Sequence, residues 1–453
     1  MKLTLEQIAK AVNGNLIGEN ITINDISIDS RAISKNGLFI AIEGEKFDGH
    51  NFCDEVAKNG AIALICHKKV NTKLPIIYVE NTGKALMDLA SYYRKSINDL
   101  KIIGLTGSVG KTTTKEMTYA VMSQKYNSIK TDGNLNNEIG MPKTLFRLKD
   151  ETEVGVIEMG MDHFGEISRL SKCCLPNIGI ITKIGVSHIE YLGSRDGILK
   201  AKLEILDGME KGSTLIINGD DDKLVTVKNS DYNLMLFGIN NKKCDVIAKN
   251  IKENNLDTTF DVSFSGETQK IILPTIGIHN VYDALAAFCA GLLMKIEPKL
   301  IAKGLSEYVP SGMRQRIKEV NGITIIEDCY NASPDSDKAA ISVLSSISGK
   351  RKIAVLGDMR ELGAFSKEGH FDVGEFAGNN NIDILFTIGD EARQIAEGAK
   401  KKISIIKSFD DKNELFKEIK TTIKQGDAVL FKASRAVALE EVIEKLYKDT
   451  RSV

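Results

Sequence analysis

The chain has 453 residues, too many for one hydrophobic core, so two or three domains are expected. Its 60 Lys and Arg nearly balance its 61 Asp and Glu, for a net charge of -1. That excludes a polybasic nucleic-acid tail or membrane-binding surface, and no apolar run is long enough to cross a bilayer.

The first residues lack the apolar region of a signal peptide. Thr4 with Gln7 instead predicts a capping box that opens an amphipathic helix carrying Leu5, Ile8 and Val12. Residues 1–98 read as a small α/β domain. It has short strands such as 37–42, a helix ending near Asn59-Gly60, and a Gly/Asp-rich turn from Gly44 to His50 with the look of a functional loop. Residues 99–310 alternate strands with amphipathic helices. Candidate strands at 101–106, 154–159, 178–184 and 214–218 argue for a mostly parallel sheet with helices on both faces. Residues 244–273 break that rhythm and read as an antiparallel insertion, and a helix then runs from Gly277-Ile278-His279-Asn280 to about Lys295. Residues 311–453 form a second, Rossmann-like α/β unit, with strands near 323–328, 352–357, 383–388 and 428–432. Leu356 packs in that sheet, and Gly357-Asp358 marks a strand's carboxyl end, where ligands bind in such folds. The cleft between two α/β domains is a common place for a substrate. There are 7 cysteines, an odd count with no C-x-x-C pair, so neither a zinc site nor a disulfide framework is supported. Buried thiols in a reducing cytoplasm are expected, the adjacent Cys173 and Cys174 among them.

Lys101 to Lys115 reads as a buried strand, a tight glycine loop and a helix start, the context that a phosphate-binding loop requires. A strict G-x-x-x-x-G-K-[ST] would place glycine where Leu105 stands. The run here is the narrower T-G-x-x-G-K-T of Thr106, Gly107, Ser108, Val109, Gly110, Lys111 and Thr112, followed by Thr113. Its glycines let the backbone approach an anion, and the helix N-terminus favours negative charge. Lys111 can reach the β- and γ-phosphates, and the Thr112 hydroxyl can hold magnesium.

Glu158 ends an apolar strand beside this loop, a placement suited to Mg²⁺. His188 follows the strand at 178–184. It can coordinate metal or contact a phosphoryl group, and spacing alone equally allows a surface or core-edge histidine. Lys200 and Lys202 share a helix with Glu204, and their spacing reads as a solvated charged face. Asn134, Asn136 and Asn137, in the run Thr131 to Gly140, either cap turns or hydrogen-bond a polar substrate. In the last domain, Ser333 is an N-cap with Pro334 at the first helical position, which leaves Asp328, Tyr330 and Asn331 at a strand end facing a ligand. Lys432-Ala433-Ser434-Arg435 ends another strand. Its cations suit carboxylate or phosphate, although spacing alone favours a solvated strand end.

Taken together and in this order, these motifs resemble the Mur ligase family over nearly the whole chain. Within that family, the closest resemblance is to its dipeptide-adding members. Three runs carry the finer likeness: Thr131 to Gly140 for T-x-G-N-x-N-N-x-I-G, Asp328 to Pro334 for D-x-Y-N-A-x-P, and Gly357 to Gly363 for G-D-M-x-E-L-G. The D-N-P-R signature of diaminopimelate-adding relatives is absent. Two positions depart from the pattern: Ala433 replaces glycine in K-G-S-R, and Lys183 replaces asparagine in I-T-N-I-G.

The resemblance implies three domains: one for the UDP-sugar at 1–98, a central ATP-binding domain at 99–310, and a ligase domain at 311–453. It implies ATP and two magnesium ions, the metals held by Thr112, Glu158, His188 and a carbamylated Lys202. Asn280, Arg314 and Asp328 match nucleotide contacts. Ser30 and Arg31 match the uridine region, with Asn134, Asn136, Asn137, Tyr330, Asn331, Ser434 and Arg435 toward the remaining substrate groups. The implied reaction joins UDP-N-acetylmuramoyl-tripeptide to D-alanyl-D-alanine through an acyl phosphate. Lys111, His188 and Lys202 are the catalytic set, in a cytoplasmic monomer that takes no nucleic acid and does not insert in a membrane. Competing readings are a sister ligase adding one amino acid, a folylpolyglutamate-type ligase, and a P-loop nucleotide switch.

Overall fold

The computed structural model describes residues 1–228, 230–254, 256–347 and 351–450. The capping box forms at the first helix, Leu5–Ala11: the Thr4 side chain accepts from the Gln7 amide, and Gln7 answers at the Thr4 backbone. A five-stranded sheet follows, in spatial order Asn15–Ile17, Ile76–Tyr78, Ala61–Cys66, Gly37–Ile40 and Asp25–Ser27. The helix Cys53–Asn59 stops at Gly60, whose φ of +122° a side chain would strain. The Gly44 to His50 turn is a small hairpin, Glu43–Gly44 against Phe47–Asp48, closed where the Asp48 side chain accepts from the His50 amide.

The central sheet has nine strands. Lys101–Thr106 runs parallel to Val154–Glu158 on one side and to Ile178–Ile181 on the other. Ile102, Ile103 and Leu105 are fully buried, as befits a parallel strand covered on both faces. The strand expected at 178–184 ends at Ile181, because the next residues turn to bind the phosphate loop. The Thr182 hydroxyl donates to the Val109 carbonyl, and the Lys183 carbonyl accepts from the Ser108 amide. Val246–Glu253, Thr258–Phe264 and Glu267–Leu273 form the antiparallel extension. The helix Ile278–Leu293 then packs against the sheet with Val281, Ala284, Leu285 and Phe288 buried.

The third sheet has six strands in the order Arg316–Val320, Ile323–Glu327, Ala428–Lys432, Lys352–Gly357, Ile384–Ile388 and Ile405–Phe409. Only the first pair is antiparallel. The four inner strands match those legible in the sequence. The two edge strands are half-exposed and mixed in polarity, so they carry no apolar run to read. All seven cysteines are free and buried, and no described helix is long and apolar enough to cross a membrane.

Ser333 caps the helix Pro334–Ser346, accepting from the Ser336 amide while Ser336 returns a bond to the Ser333 backbone. This cap fixes the third domain's wall of the cleft. Ser333→Ala should lower the stability of that domain by about 1 kcal/mol, seen as an earlier urea transition in the C-terminal strands by hydrogen exchange.

Candidate active site

The phosphate loop is shaped by contacts that exclude side chains. Gly110 has φ +85°, and a Cβ there would lie 2.5 Å from Asp283 Oδ1; a Cβ on Gly107 would strike the Thr182 side chain. The helix Lys111–Met122 starts at once, with its N-terminus facing the loop. Lys111 Nζ donates to the Gly107 carbonyl at 2.7 Å. Burial draws its pKa down, against the opposing pull of the Glu158 charge. The hydroxyls of Thr106 and Ser108 are buried and find no partner among the described residues.

Glu158 is almost wholly buried at the end of its strand. Its carboxylate accepts from the Thr112 hydroxyl at 3.1 Å and from Asn136 Nδ2 at 2.9 Å, with Lys115 Nζ 3.3 Å away. The Thr131 hydroxyl accepts from the Glu158 amide. The asparagine-rich loop therefore does two jobs. Asn137 Oδ1 accepts from the Gly140 amide and steadies the turn into the helix Gly140–Leu145, while Asn136 reaches the buried carboxylate. Asn134 offers its carbonyl to the Asn136 amide.

Lys202 corrects the expectation of a solvated helix face. It is fully buried, and its Nζ has no partner among the described residues. Burial, then the nearby Lys111 charge, holds its pKa well below the usual lysine value, which favours the neutral amine. The neighbouring Lys200 lies outside this pocket, 5.7 Å over the Phe164 ring. His188 has φ +64°, and its Nδ1 sits 2.6 Å from Glu361 Oε2 and 3.2 Å from Asp162 Oδ1.

Across the cleft, Lys432 corrects a second expectation of solvation. It is buried, pairs with Asp328 Oδ2 at 2.9 Å and donates to the Asn331 carbonyl at 3.0 Å. Asp337, behind it, has its carboxyl pushed up to about 7 by burial. Asn280 Nδ2 donates to the Ile276 carbonyl and to Gln315 Oε1, and the Gln315 amide donates to Asp328 Oδ1 at 3.3 Å. The Arg314 guanidinium stacks 4.2 Å over the Tyr330 ring. The Ser434 hydroxyl accepts from the Arg360 amide, while Arg435 stays largely exposed and pairs with Glu440.

These groups line two clefts. One, of about 570 Å³, takes in Ser108 to Thr113, Asn280, Asp283, Arg314 and Asp328. The other, of about 440 Å³, takes in Asn136, Asn137, Glu158, His188, Tyr330 and Asn331. Lys111 and Arg314 line both. Ser30 and Arg31 line neither: they sit in the first sheet domain, where the Ser30 carbonyl accepts from Asn59 and Arg31 pairs with Asp29. Sequence reasoning passed over Lys115, Asp162, Asp283, Gln315 and Glu361. Asp162 and Glu361 follow strand ends, but no spacing says that two such ends meet.

A hard cation needs oxygen ligands. Thr112 and Glu158 supply them, and the neutral amine that burial favours at the partnerless Lys202 is the form able to add carbon dioxide and give a carbamate anion. The donor set therefore fits magnesium.

Three family models match: the Mur ligase family catalytic domain at 22–94, the Mur ligase middle domain at 105–291, and the Mur ligase glutamate ligase domain at 314–435. The chain is 38% identical over 462 residues, the full length of both, to UDP-N-acetylmuramoyl-tripeptide–D-alanyl-D-alanine ligase of Bacillus subtilis. It is 34% identical to the Escherichia coli protein of that name over 99% of each. Among solved structures, MurF from Acinetobacter baumannii superposes with TM-score 0.93 at 32% identity, over 99% of each chain. The Thermotoga maritima MurF ligase in complex with ADP does so with TM-score 0.86 at 30% identity, over 95% of this chain and 98% of that one. The strand–loop–helix phosphate site, the buried metal-suited carboxylate and this likeness along the whole chain have one explanation: the protein belongs to the Mur ligase family.

Proposed function

We propose that the chain is an ATP-dependent carboxylate–amine ligase. It adds D-alanyl-D-alanine to UDP-N-acetylmuramoyl-tripeptide, giving the UDP-linked pentapeptide, ADP and phosphate in peptidoglycan precursor synthesis. The observation that carries this reading is that Lys111 lines both clefts. A phosphoryl group leaving a nucleotide in one cleft meets an acceptor in the other beside Lys111, with Arg314 also lining both.

A carboxylate is a poor acyl donor because its leaving group is oxide. Transfer of the γ-phosphoryl group to its oxygen gives an acyl phosphate. The dipeptide amine attacks that carbonyl, and the tetrahedral intermediate collapses to an amide and phosphate. Lys111 neutralises charge developing on the phosphoryl oxygens, assisted by the amides at the helix N-terminus. Thr112 and Glu158 would hold one magnesium ion, with His188 and a carbamylated Lys202 holding the second; such ions supply further charge neutralisation when bound. Asn280, Arg314 and Asp328 face the nucleotide. The domain at 1–98, with Ser30 and Arg31, takes the uridine. Asn134, Asn136 and Asn137 orient the acyl donor, while Tyr330, Asn331, Ser434 and Arg435 orient the amine. All of these come from one chain, so a cytoplasmic monomer suffices.

Phosphate release from ATP should require UDP-N-acetylmuramoyl-tripeptide and D-alanyl-D-alanine together, with a UDP-pentapeptide in the mass spectrum. Release with a single amino acid in place of the dipeptide would move the protein to a sister enzyme, and release indifferent to both would sink the ligase reading. Lys202→Ala should abolish turnover, and added short carboxylic acids should restore part of it; full activity in the variant would remove the carbamate.

Asp283 adds a pH dependence. Its Oδ1 accepts from the Thr114 hydroxyl at 2.8 Å beneath the phosphate loop. Burial pushes its carboxyl up to about 7, against the opposing effects of Thr114 and Arg314. Ionised, it places an anion beside the nucleotide phosphates; neutral, it does not. ADP affinity should therefore fall as pH rises through 7, by at most about tenfold per pH unit for one linked proton. Calorimetric titration of Asp283→Asn should show that dependence flattened.

A further inference from the structure

His188 and Glu361 meet across the boundary between the second and third sheets. His188 opens the helix Ile189–Leu192 on the central side; Glu361 lies just beyond Lys352–Gly357 on the C-terminal side. Both carry φ +64°, a left-handed conformation that residues with side chains rarely adopt unless their surroundings hold them there. The two backbones also touch, the Glu190 amide lying 3.5 Å from the Glu361 carbonyl. A Cβ on Gly363 would come within 3.0 Å of the Glu190 side chain, so the turn and the helix are matched in shape.

The side-chain geometry is specific. Two carboxylates face His188 Nδ1: Asp162 at 3.2 Å from the central domain and Glu361 at 2.6 Å from the C-terminal domain. Nδ1 is buried, and neither contact has the geometry of a hydrogen bond, so the carboxylates act on the ring as close charges. A carboxylate against one ring nitrogen orients the ring for a metal, as in carboxylate–histidine–metal triads. Asp162 belongs to the same sheet domain as His188. Glu361 belongs to the C-terminal one.

We propose that Glu361 is a positioning residue that completes the His188 metal site when the C-terminal domain docks. This rests on the reading of His188 as a metal ligand. The consequence is an order of events: the second ion reaches full affinity only when the domain carrying the amine is in place. An acyl phosphate then forms with its acceptor at hand and with water excluded.

The test uses the full chain with saturating ADP and Mn²⁺ as the probe, its binding followed by electron paramagnetic resonance. Glu361→Gly removes the carboxylate and accepts the φ of +64°. It should weaken the second Mn²⁺ by about 10- to 100-fold and leave the first unchanged. Asp335→Asn is the control, since it breaks the other ion pair across this boundary, Lys183 Nζ to Asp335 Oδ1 at 2.8 Å, without touching His188. It should leave the second Mn²⁺ within about threefold of the unaltered protein. Unchanged Mn²⁺ binding in Glu361→Gly, with loss in His188→Ala, overturns the proposal and spares the metal reading. Unchanged binding in His188→Ala overturns both. Equal weakening in Asp335→Asn also overturns it, because contact between the domains in general, not the carboxylate, would then set the affinity.

Discussion

A buried carboxylate is tolerable only if its charge is met, since burying it bare costs several kcal/mol. Glu158 imposes that constraint here. Its oxygens take the hydroxyl of Thr112 and the amide of Asn136, with the ammonium of Lys115 near by. Two segments distant from that strand in sequence are thereby fixed to its end: the first two turns of the phosphate-loop helix and the asparagine-rich loop. The phosphate loop is thus anchored from below by a group that is also suited to a divalent cation. A metal arriving there would exchange one set of partners for another rather than enter an empty space.

The neighbouring groups extend the same logic. Lys111 and Lys202 are two lysines in one buried region, and burial disfavours the charge on each. Glu158 opposes that effect at Lys111, whereas Lys202 has no contact partner among the described residues, so burial weighs more heavily on Lys202. On the far wall, Lys432 is buried too, but its Nζ is tied to Asp328 and the Asn331 carbonyl, which makes it a strut beneath the nucleotide-facing residues. Three lysines on helices and strand ends therefore sit in three different settings, fixed by what each one faces.

The fold was readable where burial imposes a pattern. Strands such as Lys101–Thr106 and Ala428–Lys432 are covered on both faces and run as unbroken apolar segments. The caps at Thr4 and Ser333 follow from local hydrogen bonding alone. Edge strands such as Arg316–Val320 and Ile405–Phe409 escaped because half their surface meets water and their pairing is set by neighbours distant in sequence. In the site, the phosphate loop and Glu158 were legible as motifs. The burial of Lys202 and Lys432 was not, since a helix or strand-end lysine looks the same in sequence whether it faces solvent or a cleft.

The sequence by itself determined the order of sheets and helices, the phosphate loop with its glycines, and the family resemblance. Each of these rests on residues close together along the chain, where period, turn chemistry and capping act. Tertiary structure alone decided which distant strand ends confront one another. It set His188 against Glu361, laid Arg314 over Tyr330 and Asp283 beneath Gly110, and made Lys111 a wall of both clefts. Those pairings depend on how whole sheets dock, and docking is governed by shape and charge summed over many side chains, which no local pattern records.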